Sequence, residues 1–341
     1  MNKLALTLGI ITSSVLTVSA WANNPMGIYK AHEFTDYNQS GYYTIQKASD
    51  IADKGDLKQA QELYQKASAR LPQSLMNYFS LGETAYKLSE TADTDAERVA
   101  YLQQAKWAYY RVVNLHPDIT LGFYKLAEIT WELEAYEDSR EILTEGLEMH
   151  PGDLLMTYSL GLTEEKLGNT QAAKTAYEQV IYINPKYAPV YNSLGGVYEE
   201  LKKNTEAEAN YRKALLIDPD NTEYQVTLAA FLANDGRPDE AETLAQAALK
   251  KDPDNYLLYI TLGHIQYDRQ LYEKALIYYT KAAELNPEYS AAYYYLSLTL
   301  EHLDRGDEAV AEGMHYVNIS PEGRYAKQAN ELILTLKQKK N

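Results

Sequence analysis

Residues 188–221, APVYNSLGGVYEELKKNTEAEANYRKALLIDPDN, read as two short helices within 34 residues. Tyr191, Leu194, Gly195 and Tyr198 recur at spacings of three and four, which places them on one helix face. Lys202-Lys203-Asn204 is a polar break. Ala207, Tyr211 and Ala214 then mark one face of a second helix. Asp218-Pro219 closes it, because proline lacks an amide hydrogen and disfavours helix in the residue before it. The residue sizes interlock. Gly195 leaves room where the helices cross, Ala207 and Ala214 keep the second helix thin, and the Tyr211 ring fills the space between them.

The stretch belongs to a series. Pro117, Pro151, Pro185, Pro219, Pro253, Pro287 and Pro321 are each 34 residues apart, with Pro72 as an irregular first member. A fixed period of this length signals helix–turn–helix units stacked on one continuous core. It overrides the two or three domains that 341 residues would otherwise suggest.

The same slots recur down the chain. Gly82, Ala127, Gly161, Gly195, Ala229, Gly263 and Ser297 take the crossing position, each preceded by a leucine. Ala60, Ala105, Ser139, Ala173, Ala207, Ala241, Ala275 and Ala309 open the second helices, and Tyr64, Tyr109, Tyr177, Tyr211 and Tyr279 supply the ring. This pattern resembles the tetratricopeptide repeat over residues 41–323. The resemblance implies an all-α fold, a right-handed α-solenoid of about eight helix pairs with a ligand groove along its first helices. A capping helix and tail would occupy 324–341, and a loose leader 23–40.

Some positions depart from the pattern. Lys47-Ala48 replaces the leucine–glycine pair in the first unit, and Leu143, Ala245 and Gly313 replace the ring. Gly313 and Tyr316 mark a loosely packed last unit. Pro72 and Pro117 are 45 residues apart, and the surplus, Ser89–Val99, reads as a polar extension of a turn.

Carrying the family's groove face onto this chain implies partner contacts from Phe79, Glu83 and Tyr86, then Tyr124, Glu128 and Trp131. Tyr158, Glu165, Asn192, Glu199, Tyr267 and Tyr294 continue it. The floor would be aromatic and acidic. The basic set with which some family members clamp a carboxylate is missing, leaving only Lys125 and Asn192 as isolated candidates. The 32 tyrosines against four phenylalanines are accounted for in part by packing slots. The groove is the other place for them.

A net charge of −16 argues against a nucleic-acid partner and against an anionic membrane surface, and favours a neutral or basic protein or peptide. With no cysteine, disulfides and thiolate chemistry are excluded. No phosphate loop, metal-ligand motif or nucleophile elbow is present, so neither catalysis nor a cofactor is expected. His116 and His150 precede period prolines and read as structural, while His264, Glu301 and His302 are too dispersed to suggest a metal.

Residues 1–22 read as an export signal, with Lys3, an apolar run over Leu4–Val18, and Ala20-Trp21-Ala22 as the cleavage site. The rival is an uncleaved anchor, although the run is shorter than the ~20 residues a bilayer requires. The expectation is an exported scaffold, periplasmic or secreted, that binds a protein in envelope assembly or secretion. The alternative is a glycan-handling accessory protein for polysaccharide export, its aromatic residues stacking on sugar rings.

Overall fold

A computed structural model of the chain describes residues 36–339. The expected export signal over 1–22, residues 23–35 of the leader and the last two residues of the tail lie outside the described residues. Seventeen helices and no strand occur among the described residues. They form an all-α array of helix pairs that divides into two compact units.

In the first unit, Met1–Val197, α1 (Asp36–Ala52) pairs with α2 (Leu57–Arg70) and α3 (Leu75–Glu90) with α4 (Asp95–Leu115). Next, α5 (Thr120–Glu132) pairs with α6 (Tyr136–Met149) and α7 (Leu154–Lys166) with α8 (Thr170–Ile183). The unit boundary falls within α9 (Ala188–Glu200). The second unit, Tyr198–Asn341, continues with α10 (Asn204–Ile217). Three pairs follow: α11 (Thr222–Asn234) with α12 (Pro238–Leu249), α13 (Tyr256–Asp268) with α14 (Tyr272–Leu285), and α15 (Ser290–His302) with α16 (Gly306–Ile319). Helix α17 (Ala326–Lys339) packs against α16.

Turn chemistry sets the period. The first helix of a pair ends on a residue in the left-handed region, occupied by Gly55, Gly168 and Gly236 but also by Glu134, Lys202, Gln270 and Asp304 at φ of 55–60°. The amide of the next residue closes back on the helix, Ala135 N–H donating to the Thr130 carbonyl at 2.9 Å and Lys203 N–H to the Tyr198 carbonyl at 2.9 Å. The proline turns between pairs are tied from six residues downstream. Tyr191 and Tyr259 hydroxyls donate to the Pro185 and Pro253 carbonyls at 3.0 and 3.1 Å, and Gln225 Nε2 does so to Pro219 at 3.0 Å. His150 Nε2 likewise donates to the Pro117 carbonyl at 3.0 Å, which makes it structural.

The crossing glycines are explained by contact. A Cβ on Gly82 would lie 2.7 Å from the Tyr109 ring, and on Gly161 or Gly263 it would run into Tyr177 or Tyr279. The ring occupies the volume that the glycine vacates.

Three expectations are revised. Helix α1 begins at Asp36, inside the stretch expected to be loose leader. The surplus at 89–99 is helix rather than turn. Helices α3 and α4 have 16 and 21 residues where α5 and α6 have 13 and 14, and only Thr91–Thr94 remain between them. The last pair is closed at its core. Gly313 lacks a ring because Ile333 of α17 enters that slot, within 3.1 Å of where a Cβ would stand, and Tyr316 is buried beside Ala326 and Ala329. A cleft of about 440 Å³, lined by Leu276 of α14 and by Leu296, Leu300, Arg305, Glu308 and Glu312 of the last pair, stays open between that pair and α14.

Candidate functional site

First and second helices are buried to different degrees. Helix α5 buries nine of its 13 residues, while α6 buries three of 14. A first helix contacts its own partner and neighbouring units, whereas a second helix keeps one solvated side. Residues assigned to the inner face of a first helix are therefore largely walled in.

Ring-slot hydroxyls emerge among these residues and consume several of the acids. Tyr109 OH donates to Glu83 Oε1 at 2.5 Å, Tyr211 OH to Glu199 Oε2 at 3.0 Å, and Tyr177 OH to Glu165. Burial first, and then the adjacent carboxylates, hold the Tyr109 and Tyr177 hydroxyls far above the ordinary phenol range, so they remain neutral donors.

Of the twelve residues assigned to the groove, nine lie in the first unit and Glu199, Tyr267 and Tyr294 in the second, so they divide into two sets. Trp131 is 1% exposed and Tyr158 2%, which makes both packing residues and corrects their assignment as contact surface. Tyr136 meets the Trp131 ring edge-on at 5.5 Å and Lys166 Nζ lies 5.3 Å from it, while Tyr177 and Tyr187 enclose Tyr158. Tyr294 is also buried, stacked on Tyr325 at 4.4 Å. Phe79, Glu83, Tyr86, Glu165, Asn192, Glu199 and Tyr267 are half-buried and keep an accessible edge. Tyr267 packs against Tyr272 and His302.

The first unit brings together a charged cluster that the sequence did not disclose. Lys125 Nζ lies 2.9 Å from Glu128 and 3.7 Å from Glu83, and 5.7 Å from the centre of the Tyr86 ring. Lys125 is thus neutralised in place and cannot serve a carboxylate clamp. Glu132 is paired with Arg98 at 2.5 Å, its side chain only 10% exposed. Arg98 comes from the helical extension of α4. Glu90, on the last turn of α3, has no ion-pair or hydrogen-bond partner among the described residues. Burial pushes the Glu90 and Glu128 carboxyls up, against the pull of Lys125.

Several buried polar atoms of the first unit are unpaired: Tyr124 OH, Trp131 Nε1, Tyr187 OH and Asn192 Oδ1. In the second unit His264 Nε2 and Tyr279 OH are unpaired as well, His264 packing against Tyr279 and Tyr295. No group of three or more His, Asp or Glu side chains among the described residues is placed to hold a metal ion. No helix among them is long and apolar enough to cross a membrane.

Family models described as tetratricopeptide repeat match residues 156–187, 199–265 and 260–317. No curated protein sequence matches. A tetratricopeptide repeat protein from Parabacteroides merdae aligns over 87% of this chain and 99% of its own, at 16% identity and a TM-score of 0.57. A chain of the APC/C hetero-tetramer Cut9–Hcn1 aligns over 86% of this chain and 62% of its own, at 14% identity and a TM-score of 0.58. Pseudomonas aeruginosa pilF aligns over 62% of this chain and 96% of its own, at 16% identity and a TM-score of 0.51. At these identities the likeness concerns the fold.

Proposed function

This chain belongs to the tetratricopeptide-repeat family, and we propose on that footing that it is a non-catalytic scaffold holding a segment of another protein against its first helices. The observation that carries the reading is the run of half-buried residues along the first helices of the first unit, Phe79, Glu83, Tyr86, Glu165 and Asn192, which keep an accessible edge. Half-buried Phe79 and Tyr86 would add aromatic contact. The excess of acid directs this surface toward a neutral or basic partner rather than nucleic acid.

The alternative of sugar stacking loses Trp131, whose ring offers no accessible face. Export to the periplasm, with a role in envelope assembly or secretion, is part of the proposal and rests on residues 1–22. Intact mass of the exported protein should give a chain starting at Asn23, and a full-length product held in the membrane would sink that part.

The test is affinity capture from an envelope extract with the wild-type protein, a Tyr86→Ala variant of the first unit and a Tyr267→Ala variant of the second. A protein held in stoichiometric amount by wild type and released by one of the variants supports the scaffold and identifies the unit. Capture that survives both variants moves the site off the first helices. Retention on an oligosaccharide column without protein capture replaces the reading with the glycan one.

A further inference from the structure

The cleft beside the last pair has a cause in the repeat itself. In the second unit, ion pairs tie one second helix to the start of the next. Glu208 of α10 holds Arg237, the residue before α12, at 2.7 Å, and Arg212 of α10 pairs with Glu240 of α12. One period after Glu208, Glu242 of α12 holds Arg269 at 2.5 Å. The next residue in that series is Leu276, and Thr280 stands two periods after Arg212. Neither can form an ion pair. Arg305 and Glu308, two periods after Arg237 and Glu240, therefore bond to each other at 2.5 Å. The missing ties leave the cleft open, with Leu276 and Thr280 on one wall, Arg305, Glu308 and Glu312 on the other, and Leu296 and Leu300 of α15 between them.

Charge and shape describe what fits there. Glu312 is half-buried in the cleft and has no ion-pair or hydrogen-bond partner among the described residues. Burial pushes its carboxyl up, with His315 pulling the other way. Arg305, the one cation among the lining residues, is spent on Glu308, and Glu284 meets only Lys281 of its own helix, at 3.4 Å. The cleft is thus an apolar trough with an unmatched carboxylate in its wall. Ile277, 67% exposed, extends the apolar surface outward on the α14 face that carries Thr280 and Glu284. We propose that this cleft is a second docking site, separate from the first-helix face, for an amphipathic basic helix of a partner protein. Aliphatic side chains of that helix lie between Leu276 and the leucines of α15, and a lysine or arginine meets Glu312. The α14 wall runs from Leu276 to Ala283, about 10.5 Å at the rise of an α-helix, which matches anchors at positions i, i+3 and i+7 of a docked helix. The stem of a lysine or arginine covers apolar surface while its charged head reaches the carboxylate.

The test uses the full-length protein and a fluorescein-labelled helical peptide, AQALKALQKALQA, with two controls, one with glutamine for its lysines and one with alanine for its leucines. The alanine control keeps the charge and so measures attraction to the acidic protein as a whole. Fluorescence anisotropy should show the parent peptide binding at least about tenfold more tightly than either control, since a charge-assisted contact and aliphatic burial both contribute. Glu312→Gln removes an unmatched carboxylate, so it should keep thermal stability, weaken the parent peptide several-fold and leave the glutamine control unchanged. Leu276→Glu restores the residue found at Glu208 and Glu242 and gives Arg305 a partner across the cleft. It should abolish binding of the parent peptide while helix content stays at the wild-type level. Equal binding of the three peptides, or wild-type affinity for the parent peptide in either variant, overturns the site.

Discussion

Tyrosine rather than phenylalanine fills the ring slots because the ring and the hydroxyl have separate partners. The ring of Tyr109 occupies the space left by Gly82, and its hydroxyl reaches past the crossing to Glu83. Tyr279 repeats the ring contact against Gly263, but its hydroxyl is buried without a partner, since residue 267 is tyrosine where the equivalent residues 165 and 199 are glutamate. Removing one hydroxyl should therefore have opposite effects at the two sites. Tyr109→Phe should cost about 1.5–3 kcal/mol, as lost bonds to charged groups do, while Tyr279→Phe should be neutral or stabilising. Urea unfolding of both variants decides the matter, and equal losses would show that the hydroxyl of Tyr279 is satisfied after all. The slots themselves were legible from spacing, because ring and glycine lie at fixed offsets. The hydroxyl partners were not, because Glu83 is one residue after its glycine whereas Glu165 and Glu199 are four after theirs.

At the scale of the element, the eleven surplus residues in the second repeat lengthen both helices. Polar composition over 89–99 suggested a turn, but one turn of α3 and two of α4 can stay polar on the outside while Ser89 and Leu102 are buried. The extension carries Arg98 to Glu132, and Glu97 to Lys58 of the preceding pair. Deleting 89–99 would restore the 34-residue period and yet should destabilise the first unit, because it leaves the largely buried Glu132 carboxylate unpaired. Arg98→Ala should reproduce most of that loss, about 1–2 kcal/mol once the exposure of Arg98 is allowed for. A deletion that leaves the unfolding midpoint unchanged would return the segment to the status of a spacer. The burial of Trp131 and Tyr158 has a related cause. Helical periodicity gives the direction in which a residue points, but whether that direction meets solvent depends on neighbouring pairs far away in sequence.

At the scale of the whole chain, seven evenly spaced prolines and the irregular Pro72 sufficed to count the eight helix pairs, because each proline follows the end of a second helix. The proposed partner face was less legible, since it consists of what remains after the repeats have used their own acids and hydroxyls. Stability should follow the same one-dimensional logic, and Tyr211 tests it within the second unit. Its ring, 3% exposed, packs with Ala207, Leu228, Phe231, Leu232, Ala241 and Ile265, and lies 5.4 Å from the Phe231 ring. Tyr211→Ala should cost about 3–5 kcal/mol, as other buried ring deletions do. In an array where each repeat contacts only its neighbours, that loss stays near its origin. Hydrogen exchange should accelerate over α10 to α13, which supply this cluster. Helices α15 to α17 should keep their protection, since their core is built separately from Tyr294, Tyr316, Ala326 and Ala329. Uniform acceleration through α17 would mean that the second unit unfolds as one cooperative block, and the nearest-neighbour account of this array would have to be abandoned.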